Sequence, residues 1–351
     1  MSSPLRQLHE PPTGAPPWVP LAWFGGALAW LILSALGLYC IAPDLAAGNL
    51  YSPRVFAVTH ALTLGVLTSA VLGALHQFIP VVMGVPIRHP RVAIAGFWLS
   101  ETGTALLVYA LWHWNLRLQL GAWIIFFAAV GAGSWSVLPA RRRATQNRYV
   151  GVFVSVGHSA LGLAMFLALA RIGHGLGWWE VSRDGLLVAH LHLGLVGFGT
   201  LTAVGFGSKM IPAFLRSSAA PEPARFDRIA GLAAVGLIVF SAGAIWNRSW
   251  LVWIGGFLLL LSVVQHLAVI VGYWKSQTVP RLDPALGFIG AAVLWYAVAA
   301  GLGVWLLVTR PPGGPIWAAY VLAFLLGWLI HLILGVLHRI GPRLTANLLA
   351  L

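Results

Sequence analysis

Ten apolar runs follow one another along the chain, each of about 20 residues and so long enough to cross a hydrocarbon core of roughly 30 Å as a helix. They fall at 21–41, 54–80, 92–113, 117–138, 149–172, 186–213, 228–247, 250–274, 285–309 and 316–341. Lipid offers no partner to an unpaired backbone group, so such spans must be helical. The alternating pattern of a membrane barrel is absent from the sequence. Composition agrees: 59% of residues are hydrophobic and 8% charged, where a soluble domain carries roughly a quarter charged residues. The expected fold is an all-α integral membrane protein, with one polytopic transmembrane domain over 21–345. The preceding residues 1–20, "MSSPLRQLHEPPTGAPPWVP", are Pro-rich and polar. They lack the basic start and small-residue cleavage site of a signal peptide, and read as a disordered tail.

With ten spans and the amino terminus inside, only Arg54, Arg117, Arg171, Arg183, Arg248 and Arg310 fall on outer segments, and the other Lys and Arg residues fall on inner ones. This asymmetry is the positive-inside pattern. Basic loops lying against anionic headgroups also account for the net charge of +13 without a nucleic-acid partner. Cys40 is the only cysteine, so neither an internal disulfide nor a CxxCH heme attachment can form. Metal chemistry would have to use histidine.

The spans also repeat. With Pro80 and Pro212 in register, His60 aligns with His192, Gly65 with Gly197, Gly73 with Gly205 and His76 with Ser208. A weaker third copy ends at Pro342 and aligns His338 with His76. The spacing of about 130 residues corresponds to four helices per unit, so the second, sixth and tenth spans are equivalent and parallel.

Histidines are the chemically distinctive residues of these spans. His190 and His192, two positions apart on one helix, point about 200° from each other and must address different neighbours. Buried imidazoles are costly in hydrocarbon without partners; the alternative is that both sit among headgroups and cap the helix start. His60 and His192 lie at equal depth on equivalent spans, as two axial ligands of one heme require. His158, near the middle of the fifth span, is the candidate partner of His190 at a second site. His76 lies about 24 Å from His60 along the axis and cannot share its centre. With Lys209 and His338 it is expected to snorkel toward lipid phosphates. His266 and His331 are further intramembrane imidazoles without an assigned role. Glu101 is the one carboxylate placed deep in a span; it would relay protons, or make a hydrogen-bonded contact with Thr102 or Thr104.

The HxH pair on a Gly-rich helix, "THALTLGVL", "LHQFIPVVMG" and the four-helix units together resemble subunit I of the heme-copper oxidase superfamily. The likeness is greatest to its short members related to bacterial nitric oxide reductases and proton-pumping oxidases. The resemblance implies b-type heme, one or two per chain, with copper as a further candidate. It implies His60 and His192 as a low-spin pair and His190 as proximal ligand of a second centre. It further implies a bacterial cytoplasmic membrane, an electron donor such as cytochrome c, a cupredoxin or a quinol, and chemistry of O₂ or NO. The sequence departs from the family in having its HxH on the sixth of ten spans, with no adjacent histidines and no HPExY. Two rival readings stand beside it: a proton- or metal-ion transporter using the intramembrane histidines and Glu101, and a heme-free assembly subunit.

Overall fold

The computed structural model describes residues 15–87, 89–143, 146–279, 283–310 and 314–349. Residues 1–14 of the expected tail, with Arg6, Arg88 and Arg281 of the inner charge set, lie outside the described residues. Among the described residues ten helices are long and apolar enough to span a membrane: α1 Trp18–Ala46, α2 Pro53–Met83, α3 Pro90–Trp112, α4 Leu116–Val137, α5 Arg148–Gly175, α6 Asp184–Leu215, α7 Pro223–Ile245, α8 Ser249–Lys275, α9 Pro284–Thr309 and α10 Pro315–Ala346. Each overlaps one of the ten apolar runs, and no strand occurs among the described residues. The protein is an all-α, multi-pass membrane protein whose helices lie in a lipid bilayer.

Local chemistry sets the helix starts. Proline opens α2, α3, α7, α9 and α10, where its missing N–H costs nothing and its fixed φ suits the first turn. The carboxylate of Asp283 caps α9 by accepting from the Leu286 amide at 3.0 Å, and also pairs with Arg339 of α10.

α2, α6 and α10 are the most buried spans and form the centre. Their first halves line the same cavity at one end of the bundle. Their second halves together line another cavity at the opposite end, so the three run in the same direction. Each contains a π-helical stretch: Ala61–Thr68, Leu193–Thr200 and Ala323–Ile330. π-helix is rare and tends to occur at functional sites, where its extra residue per turn re-aims the flanking side chains. The three stretches touch one another pairwise. Each has glycine at its fifth position, and a Cβ there would meet a side chain of the preceding span: Gly65 against Trp30, Gly197 against Ala160 and Gly327 against Trp295. The residues immediately before the stretches are His60, His192 and Leu322.

Candidate functional site: two ring pairs flanking one helix

α6 carries its two histidines to opposite sides. The His190 Nδ1–H donates to the Ala164 carbonyl of α5 at 2.8 Å. The His60 Nδ1–H donates to its own helix at Phe56, also at 2.8 Å. These bonds leave both Nε2 atoms without a hydrogen-bond partner among the described residues. The two rings have centroids 6.0 Å apart and planes inclined by 29°. Both line a cavity of about 380 Å³, within the usual size range of ligand pockets. Its walls are otherwise mostly apolar, including Leu67, Phe126, Leu161 and Phe198.

The partner of His60 is therefore His190, and the expected pairing of His60 with His192 is corrected. With about 200° between positions i and i+2, only one imidazole of the HxH pair can turn toward α2. The other, His192, turns toward α7 and α10. Its Nδ1–H donates to the Val188 carbonyl at 2.8 Å, and its Nε2 lies 3.1 Å from the hydroxyl of Tyr320. Its ring packs 4.4 Å from that of Phe240. It lines a second cavity, of about 470 Å³.

Tyr320 escaped the sequence reading, which followed histidines alone. The repeat register contains the signal: counted from the π-helical stretches, Tyr320 stands where His190 stands one unit earlier. The relation between rings recurs as well, since His192 and Tyr320 are 5.8 Å apart at 32°.

The other candidates lie elsewhere. His158 does not join His190. Its Nδ1–H donates to Val154 and its ring packs against that of Phe198 at a steep angle, eight residues further along α6 than His190. Its Nε2 is buried without a hydrogen-bond partner among the described residues. His76 does not snorkel. It is fully buried, stacked on Trp23 at 12°, with Nδ1 bonded to Leu72 and Nε2 2.8 Å from the Ser136 hydroxyl of α4. His338 is exposed. His266 is buried against the Tyr296 ring, and His331 bonds the Leu326 carbonyl within α10.

Glu101 accepts from Trp30 Nε1 of α1 at 2.8 Å and from Ser69 of α2 at 3.3 Å. The expected contacts with Thr102 or Thr104 are corrected, because neighbours on one helix turn away from each other while α1 and α2 present donors directly. Tyr51, between α1 and α2 and so outside the spans, lines the first cavity and donates to Asp184 at the start of α6 at 3.1 Å. Partial burial, then the neighbouring Asp184 charge, raises the Tyr51 hydroxyl above its ordinary pKa.

Among the described residues no three His, Cys, Asp or Glu side chains converge as a metal-binding group. Two imidazoles are too few to hold a bare ion in a closed four-coordinate site; a metal held between them must bring its other ligands with it. No protein-family model matches this chain, and no curated protein matches it.

Proposed function

We propose that the chain is a b-type heme protein of the bacterial cytoplasmic membrane, with its amino terminus on the cytoplasmic side, and that it carries electrons. The observation that carries this reading is the His60–His190 pair: two near-parallel imidazoles from different spans, 6.0 Å apart beside an apolar cavity. The donor set fits a heme, because a porphyrin brings four nitrogens of its own and needs few further donors from the protein. His60 and His190 would hold the iron through Nε2. Bound there, the heme supplies one-electron redox chemistry at a potential set by its axial ligands and surroundings.

The chain's own residues do the rest. The Phe56 and Ala164 carbonyls fix each imidazole in the tautomer that leaves Nε2 free. The apolar walls exclude water and lower the local dielectric. With both imidazoles engaged in holding it, a heme there would serve electron transfer rather than binding of O₂ or NO. An electron donor such as cytochrome c, a cupredoxin or a quinol would complete the path. The resemblance to subunit I of the heme-copper oxidase superfamily is supported by the π-helical stretches at equivalent positions in α2, α6 and α10 and by the recurring ring relation. Parallel four-span units would produce both.

The test is an optical spectrum of the chain purified after heme-replete expression. A Soret band and a sharp reduced α-band are expected, lost in His60→Ala and in His190→Ala. A colourless wild-type protein would overturn the reading.

A further inference from the structure

The second cavity makes demands on a ligand that the first does not. It lies between α6, α7, α8, α9 and α10, and its walls are mostly apolar, with Val196, Leu260, Val263 and Leu307 among them. Phe257 of α8 and Val304 of α9 line it and are also 63% and 37% exposed on the bundle's outer surface. That surface faces lipid, so the cavity adjoins the bilayer between α8 and α9 and a lipophilic molecule can enter sideways.

Its buried polar end is built from two groups, His192 and Tyr320, 6% and 4% exposed. The direction of their hydrogen bond follows from the partners. A carbonyl only accepts, so the bond to Val188 fixes the proton of a neutral His192 on Nδ1. Nε2 is then an acceptor, and the Tyr320 hydroxyl donates to it. With its proton committed, Tyr320 Oη has only lone pairs to offer, and the group it recognises must be a donor. Phe240 beside His192 and Phe324, edge-on to Tyr320 at 5.2 Å, both line the cavity and give this end aromatic walls. A planar ring with an O–H donor and an apolar tail satisfies all three conditions: lateral entry, aromatic walls and an acceptor at the buried end, away from the Asp184, Asn247, Arg248, Ser249 and Arg310 side chains that line the cavity from the helix ends. An acyl chain would leave the acceptor unused, and an anion would be held by Arg248 and Arg310 at the helix ends rather than by the lone pairs of Tyr320.

We propose that this cavity binds a membrane-borne hydroquinone, whose phenolic O–H donates to Tyr320 Oη while Tyr320 donates to His192. The assignment does not depend on heme in the first cavity.

Trp253 and Trp317 line the cavity, so binding is read from quenching of tryptophan fluorescence in the purified chain. The probes are a short-tailed benzohydroquinone and its dimethyl ether, which has the same ring and tail without O–H donors. Saturable quenching by the hydroquinone is expected, about three- to tenfold tighter than by the ether, the worth of one hydrogen bond. Tyr320→Phe should erase that difference without weakening the ether. Ala300→Phe, which fills the cavity from α9, should weaken both. His60→Ala, which removes the proposed heme ligand, should leave hydroquinone binding intact, so that loss of colour and loss of binding are read separately. Equal affinity for the two probes, or undiminished preference in Tyr320→Phe, would overturn the proposal. So would two hemes per wild-type chain with one lost in His192→Ala, because a second macrocycle would then occupy the cavity.

Discussion

The His192 imidazole stands 5.8 Å from the Tyr320 ring at an inclination of 32°, almost the relation His60 has to His190. In each pair, one residue immediately precedes a π-helical stretch and the other lies three residues before the next such stretch in the chain. The third combination of these positions, Leu322 with Val58, offers no polar group. One backbone arrangement thus recurs, and in two of its three instances it brings polar rings together.

The two histidines of α6 should separate cleanly in mutants. His190→Ala is expected to abolish bis-imidazole heme absorption, whereas His192→Ala should leave it in place. Reduced-minus-oxidised spectra of the two variants, normalised to protein, make the comparison. Loss of the band only in His192→Ala would contradict the pairing of α2 with α6 through His190.

Helix contacts at the glycines in the fifth position of the π-helical stretches leave no space for a side chain. Gly65→Leu, against Trp30, and Gly197→Leu, against Ala160, should each cost about 1–3 kcal/mol through overpacking. Unfolding in mixed detergent measures this. Gly231→Leu, on the exposed face of α7, is the control, since a Cβ at that position meets nothing within 4 Å.

Glu101 acts as a tie between α1, α2 and α3. Glu101→Ala would leave the Trp30 indole N–H without its acceptor and should destabilise by about 1–3 kcal/mol. Glu101→Gln keeps an acceptor and should cost less. Neither variant should shift the optical spectrum, since the contacts of Glu101 are with Trp30 and Ser69. Ion flux into vesicles that vanished in Glu101→Gln would instead favour a transport role.

His76 and His338 align in the repeat but differ in environment, the first fully buried and the second exposed. His76→Lys should prevent the chain from accumulating in folded form, because an ammonium beside Trp23 has neither water nor a counter-charge. His338→Lys should change stability by no more than about 0.5 kcal/mol. Yields after size-exclusion chromatography and melting temperatures report both. Equal tolerance would restore the snorkelling account of His76.

The sequence determined the ten helical spans and the divergence of His190 from His192. Both follow from local rules: apolar length against bilayer thickness, and the angle between residues on one helix. The alignment of Pro80 with Pro212 also placed Gly65 and Gly197 at equivalent positions, and both proved to be close contacts. Only the tertiary structure decided which neighbour each histidine meets. The rotation of α6 about its axis is set by how Gly197 seats against Ala160 and by the π-helical stretch after His192, and neither appears in a pattern of residue types. Tyr320 became visible for the same reason. Its hydroxyl matters because packing brings α10 beside α6, so that a phenol 128 residues away along the chain supplies the hydrogen bond that His192 needs.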